Sequence, residues 1–227
     1  MHSSVHNGTV APLDAIADDD EPTRADPRVI RSRELILDAA LTCFLRGGYV
    51  STTVDDIALE AGVAKRTIYN LYGTKDELFR AVASWAIETA ERFVVERVQS
   101  PVGVLLLSEE IAGFAVAHAR AVVNSRVISI RRLLIAEVPR FPELAAEYFD
   151  RVPRRVMTAI ADRLQRYAVL GTLEVPEPQD AAHHFTYLVL GEALDRSLFA
   201  PDSVDDAQVE RAARRGADAF IRAYATR

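Results

Sequence analysis

Residues 48–78 constrain this chain more than any other stretch. Ile57, Ala58 and Ala61 recur at helical spacing, and Gly62 follows. Val63, Ile68, Leu71 and Tyr72 then take up a second helical pattern that Gly73 ends. Thr53 with Asp56 three residues later reads as an N-cap with its reciprocal acid. Gly62 supplies the backbone freedom that a tight turn between crossing helices requires. The second pattern opens on Lys65 and Arg66. Two short helices joined by a glycine turn, the second led by cations, is how a helix-turn-helix sets side chains into a DNA groove.

The flanking residues complete the unit. Ile36, Ala39, Ala40, Cys43 and Phe44 predict a first helix that Gly47-Gly48 ends with a left-handed cap. Thr74 caps a fourth helix, with Asp76 and Glu77 where the helix dipole favours negative charge. That helix runs toward Pro101. Further helices are expected at 102–123, 125–138, 142–170 with a kink at Pro153, 179–199, and from Ser203 or Asp205 to 224. No stretch alternates like a strand, and no repeat is visible. The reading is an all-α fold of about nine helices. A three-helix helix-turn-helix domain occupies 28–75, and a larger C-terminal helical domain occupies 76–227. Residues 1–27 carry Gly8, Pro12, Pro22, Pro27 and the run Asp18-Asp19-Asp20-Glu21, and read as a disordered acidic leader. Arg24, Arg28, Arg31 and Arg33 make its end either a solvated tail or a minor-groove arm.

Composition narrows the function. With 227 residues and 49% apolar content a sizeable core is available, and a net charge of −6 argues against nonspecific coating of nucleic acid. The two lysines of the chain, Lys65 and Lys75, both fall inside the motif. The single cysteine, Cys43, excludes an intrachain disulfide and reads as a buried apolar residue, with a redox sensor as the alternative. No secretory signal opens the chain, and the apolar run at 102–107 is cut off by Glu109 and Glu110. A cytoplasmic protein without a membrane span is expected.

A recognition helix must offer donors to base edges while its flanks hold phosphates. Arg66 has the geometry for guanine O6 and N7, and Lys65 for a base or a phosphate. Thr67 suits a thymine methyl, and Tyr69 and Asn70 reach phosphate oxygens. Thr52 and Thr53 fall where the second helix meets the DNA backbone, and Lys75 at the start of the fourth.

This segment resembles the DNA-binding domain of the TetR family of bacterial transcription regulators. The resemblance rests on Gly48-Tyr49, Thr52-Thr53, Ile57-Ala58, Ala61-Gly62-Val63, Thr67-Ile68-Tyr69, Lys75 and Leu78, and covers residues 28–83. The chain departs from the family at Ala64 in place of Ser, Arg66 in place of Gly, Asn70-Leu71 in place of a His or Tyr pair, and Tyr72 in place of a core Phe. The first removes a side-chain cap and the second adds a cation. The resemblance implies a ligand-sensing, dimerising C-terminal domain and a repressor that a small apolar or amphipathic effector releases from a pseudo-palindromic DNA operator.

Candidates for the effector pocket are Phe114 and His118, Ile130 and Leu134, Phe149 and Met157, and His184 and Tyr187, each pair sharing or adjoining a helix. Ordinary core is the competing reading. A homodimer is expected through Leu188, Gly191 and Leu194 on the eighth helix and Val209, Ala213, Gly216, Ala217 and Phe220 on the ninth, where small residues permit a four-helix packing. Adjacent His183 and His184 point about 100° apart on a helix, so no metal or cofactor is expected. An activator or partner-controlled regulator without a small ligand is the alternative. A helical enzyme or adaptor is remoter, since no catalytic constellation is present.

Overall fold

The computed structural model describes residues 27–98 and 101–226. Ten α-helices and one 3₁₀ turn account for most of these residues: α1 (Pro27–Ser51), α2 (Val54–Ala61), α3 (Lys65–Tyr72), α4 (Lys75–Val98), α5 (Leu107–Val122), α6 (Ser125–Ala136), α7 (Pro142–Arg151), α8 (Pro153–Val169), α9 (Pro178–Phe199) and α10 (Asp206–Tyr224), with the 3₁₀ turn at Pro201–Ser203. The expected leader lies outside the described residues except for Pro27, which opens α1. None of the described helices is long and apolar enough to cross a membrane.

The local signals act as their chemistry requires. Thr53 and Asp56 form a reciprocal capping box at α2. Thr74 Oγ1 accepts the Glu77 N–H, and Asp205 caps α10. Gly48, at φ 73°, kinks the end of α1, where the sequence placed a cap.

Two expected helices differ. The segment at 142–170 is two helices, because Pro153 lacks the N–H that would continue α7 and instead starts α8. The helix expected from residue 102 begins at Leu107. The Glu110 carboxylate turns back to accept the N–H groups of Gly103, Val104 and Leu105 at 3.0, 2.6 and 2.7 Å, holding 101–106 as a loop. The Tyr167 hydroxyl also donates to Glu110 at 2.7 Å. Burial alone raises a carboxyl pKa, but these four donors outweigh it and bring Glu110 down to about 2.

The buried apolar side chains form two clusters. One joins α5, α8, α9 and α10 around Phe114, Ile160, Tyr167, Phe185 and Phe220. The other holds α1 to α4 together around Phe44, Ile57, Ile68 and Phe79, with Cys43 among its buried members. Ile130, Leu134, Phe141, Leu144 and Tyr148, from α6, α7 and the corner between them, belong to this second cluster. The unit of α1 to α4, the head, is therefore packed directly onto part of the C-terminal region.

Candidate nucleic-acid interface

The turn between α2 and α3 is set by Gly62, at φ 65° and ψ 32°, whose N–H returns to the last turn of α2. Ile57 and Ile68 face inward. Helical geometry then turns Lys65, Arg66, Tyr69 and Asn70 to the surface, with Thr67 half-buried beside them. Ala64 begins α3 without a side-chain cap, as its missing hydroxyl dictates. Arg66 is exposed and has no partner among the described residues. Lys65 reaches Asp55 on α2 at 2.7 Å, a hydrogen bond that raises its pKa.

The flanking residues divide. Thr52 is buried. It is 5% exposed, and its hydroxyl lies 2.8 Å from the Gly48 carbonyl and 3.1 Å from that of Cys43, bracing the kink in α1. Thr53 is exposed, but its hydroxyl and its backbone N–H both donate to Asp56, leaving it no proton for a phosphate. Lys75 is half-buried. Its ammonium sits 4.4 Å from the centre of the Tyr49 ring and donates to the Val50 carbonyl at 3.3 Å. Burial and then the nearby Arg140 lower its pKa.

Sequence reasoning missed the group around Lys75. The Tyr49 hydroxyl donates to Asp76, and Arg140 Nη2 lies 3.5 Å from both Asp76 oxygens. Tyr49 and Lys75 were legible as motif positions. Arg140 is 64 residues from Asp76 and carries no local pattern to announce its role.

The residues expected to line a pocket do not converge. Phe114 and His118 share an aromatic stack with Phe185, at centroid distances of 5.2 Å for Phe114–Phe185 and 6.2 Å for Phe114–His118. The Thr186 hydroxyl on α9 reaches Met157 Sδ on α8 at 3.4 Å. Ile130 and Leu134 belong to the head's cluster instead. Phe149, His184 and Tyr187 are exposed, with Arg154 over Phe149 and the Tyr224 hydroxyl against His184 Nδ1. Surface depressions of about 410 and 530 Å³ flank α1, and neither reaches the expected pocket residues. His118 Nε2 is buried without a hydrogen-bond partner among the described residues.

The expected dimer residues also separate. Val209, Ala213, Gly216, Ala217 and Phe220 are buried inside the protomer, where α10 packs on α5 and α9, so they cannot form an interface between copies. A Cβ on Gly216 would lie 2.2 Å from the Leu188 carbonyl oxygen, so this glycine allows α10 to approach α9. The small-residue stripe serves an internal crossing. Leu188 and Gly191 are exposed and Leu194 is half-buried, and Tyr187 and Phe199 are 64% and 86% exposed on the same helix.

Comparison with known proteins covers both halves. A family model for bacterial regulatory proteins of the TetR family matches residues 36–82, and one for the C-terminal domain of AefR-like transcriptional repressors matches 109–226. The HTH-type transcriptional regulator YezE of Bacillus subtilis (strain 168) is 30% identical over 139 residues, which are 61% of this chain and 71% of YezE. IcaR of Staphylococcus epidermidis, the negative transcriptional regulator of the biofilm operon icaADBC, is 38% identical over 48 residues, 21% of this chain and 26% of IcaR. A TetR-family regulator from Mesorhizobium loti superposes with a TM-score of 0.76 at 24% identity, covering 88% of this chain and all of that one. The flavonoid-responsive regulator FrrA does so with a TM-score of 0.65 at 26% identity, covering 87% and 98%.

Proposed function

Because the chain belongs to the TetR family of transcription regulators, we propose that it is a repressor that binds a pseudo-palindromic operator as a homodimer and is released by a small amphipathic effector. The observation that carries DNA reading is the outward face of α3, where Lys65, Arg66, Tyr69 and Asn70 stand clear of the head's core. Arg66 is the base-reading donor, Lys65 leaves Asp55 for a base or phosphate, and Lys75 meets a phosphate at the start of α4. Residues 28–75 form the reading unit and 76–227 the regulatory one. The site of action is the cytoplasm, where the operator is.

One head reads one half-site, so two must be joined with recognition helices about 34–36 Å apart. The outer face of α9 supports the joining surface, with Tyr187, Leu188, Gly191, Leu194 and Phe199 exposed or half-buried. The stack of Phe114, His118 and Phe185 supports the effector reading. It combines flat apolar surface with the His118 Nε2, which has no hydrogen-bond partner among the described residues, at a place the helices must open to admit a ligand. FrrA is named for its response to flavonoids, which are planar and amphipathic, and IcaR is named a negative regulator. Release requires the effector to bind a dimer state that fits the operator poorly.

Selection of binding sites from random duplexes tests the reading. Two inverted half-sites one turn apart are expected, and a flavonoid panel added to the selected complex is expected to displace the protein. A folded protein that ignores all duplex DNA at low ionic strength would end the proposal.

A further inference from the structure

We propose that Arg140, on the corner between α6 and α7 and outside the helix-turn-helix, is a positioning residue for operator binding: it neutralises Asp76 so that the incoming phosphate at the start of α4 meets Lys75 and not a bare carboxylate. The proposal rests on the reading that the start of α4 faces a phosphate.

Lys75 and Asp76 are consecutive residues of opposite charge on the first turn of α4. The helix dipole favours an anion there, and a DNA phosphate and the Asp76 carboxylate compete for the same field. The structure engages Asp76 with two donors of its own. The Tyr49 hydroxyl donates to it, and the Arg140 guanidinium lies 3.5 Å from each of its oxygens. The phenol first, then Arg140 and, more weakly, Arg80 hold its pKa below the ordinary carboxylate range, so Asp76 stays charged and Arg140 is the guanidinium in contact with it.

Arg140 is held in place by its neighbour. Phe141 is 2% exposed within the head's own core, stacked on Phe79 at 4.9 Å and edge-on to Tyr49 at 5.3 Å. Arg80 covers its ring at 4.9 Å and pairs with Glu143. With residue 141 anchored inside, residue 140 lies over the outer rim of the head. Its guanidinium is 4.8 Å from the Tyr49 ring centre, and the Lys75 ammonium is 4.4 Å from the same centre. The Arg140 side chain remains 53% exposed, so water and salt reach it. Its contribution is therefore local compensation of one neighbouring carboxylate. Without Arg140, Asp76 would attract the Lys75 ammonium and repel the phosphate. The cation that prevents this comes from the C-terminal region, so any displacement of the α6–α7 corner changes the charge the operator meets.

Full-length protein and a selected operator duplex provide the test, with affinity measured across a salt series and thermal unfolding followed for each variant. Arg140→Ala is expected to weaken all duplexes alike by about tenfold while leaving the melting transition in place. Asp76→Asn in the Arg140→Ala background is expected to restore most of that loss, because the uncompensated carboxylate is gone while an acceptor for Tyr49 remains. Unchanged affinity in Arg140→Ala overturns the proposal. So does a loss that Asp76→Asn fails to restore when the salt slope has dropped by about one, since that marks Arg140 itself as the phosphate ligand. Lys75→Ala reports separately on the underlying reading. If it is silent while Asp76→Asn still rescues Arg140→Ala, Lys75 loses its phosphate and the compensation of Asp76 stands. If it weakens binding while Arg140→Ala is silent, the phosphate reading survives and the role of Arg140 falls.

Discussion

The reading head and the bundle formed by α5, α8, α9 and α10 are both helical and both well packed, yet they encode their purposes differently. In the head, cap, turn and recognition residues lie within a few dozen consecutive positions, and each acts through a neighbour close in sequence. Thr53 caps through Asp56, Gly62 turns onto Ala58, and Lys65 reaches Asp55. In the bundle the important contacts join distant segments. Tyr167 binds Glu110, 57 residues away, and Arg120 binds Glu210, 90 residues away. Local chemistry acts between residues a few positions apart and is readable as a motif. Crossing chemistry depends on which helix faces which.

The widest gap between the two regions should appear at Gly216. Gly216→Ala places a carbon against the Leu188 carbonyl, so α10 must back away from α9. A loss of about 3 kcal/mol is expected in thermal or denaturant unfolding. An unchanged midpoint would show that the crossing is not held by this close approach.

His118 sharpens the contrast through pH. Burial lowers its pKa from 6.5 to about 4. Between those values the unfolded chain binds a proton that the folded chain refuses, so stability falls as pH drops through this window, by up to about 3 kcal/mol from this group. His118→Phe is expected to flatten that part of the stability profile. A profile that keeps its slope in the variant would assign the proton uptake elsewhere.

Arg66 tests the head's independence. Arg66→Ala is expected to cost about 1–3 kcal/mol at one base pair of each half-site while leaving the unfolding transition unchanged. Equal weakening on every sequence would reduce Arg66 to a phosphate contact.

The smallest effect concerns Tyr72, whose hydroxyl is buried without a partner among the described residues. Tyr72→Phe is expected to stabilise the head by about 1 kcal/mol, since it removes an unsatisfied polar atom and keeps the ring. A loss of stability would reveal a partner for that hydroxyl.

These contrasts also explain where the sequence expectations and the structure diverge. Thr52 and Thr53 are adjacent and chemically alike, and in sequence both read as DNA contacts. The kink at Gly48 turned one inward, and the capping box occupied the donors of the other. The stripe from Val209 to Phe220 reads in sequence as a dimer face, and the structure buries it within one chain. Periodicity states that a face is covered without stating by what, and here α5 and α9 of the same chain cover it. Phe149 beside the kink at Pro153 and Tyr187 on its helix read as pocket candidates by position, and the fold leaves both at the surface.

The sequence by itself determined the helical class, the capped and glycine-turned reading unit, and the cations of α3, because these follow from hydrogen bonds and dihedral limits within a few residues. Only the tertiary structure decided that Glu110 folds 101–106 into a loop, that the small stripe of α10 serves the inside of the protomer, and that Arg140 stands over Asp76. Those outcomes depend on groups dozens of residues apart arriving at one place, and no local periodicity carries that information.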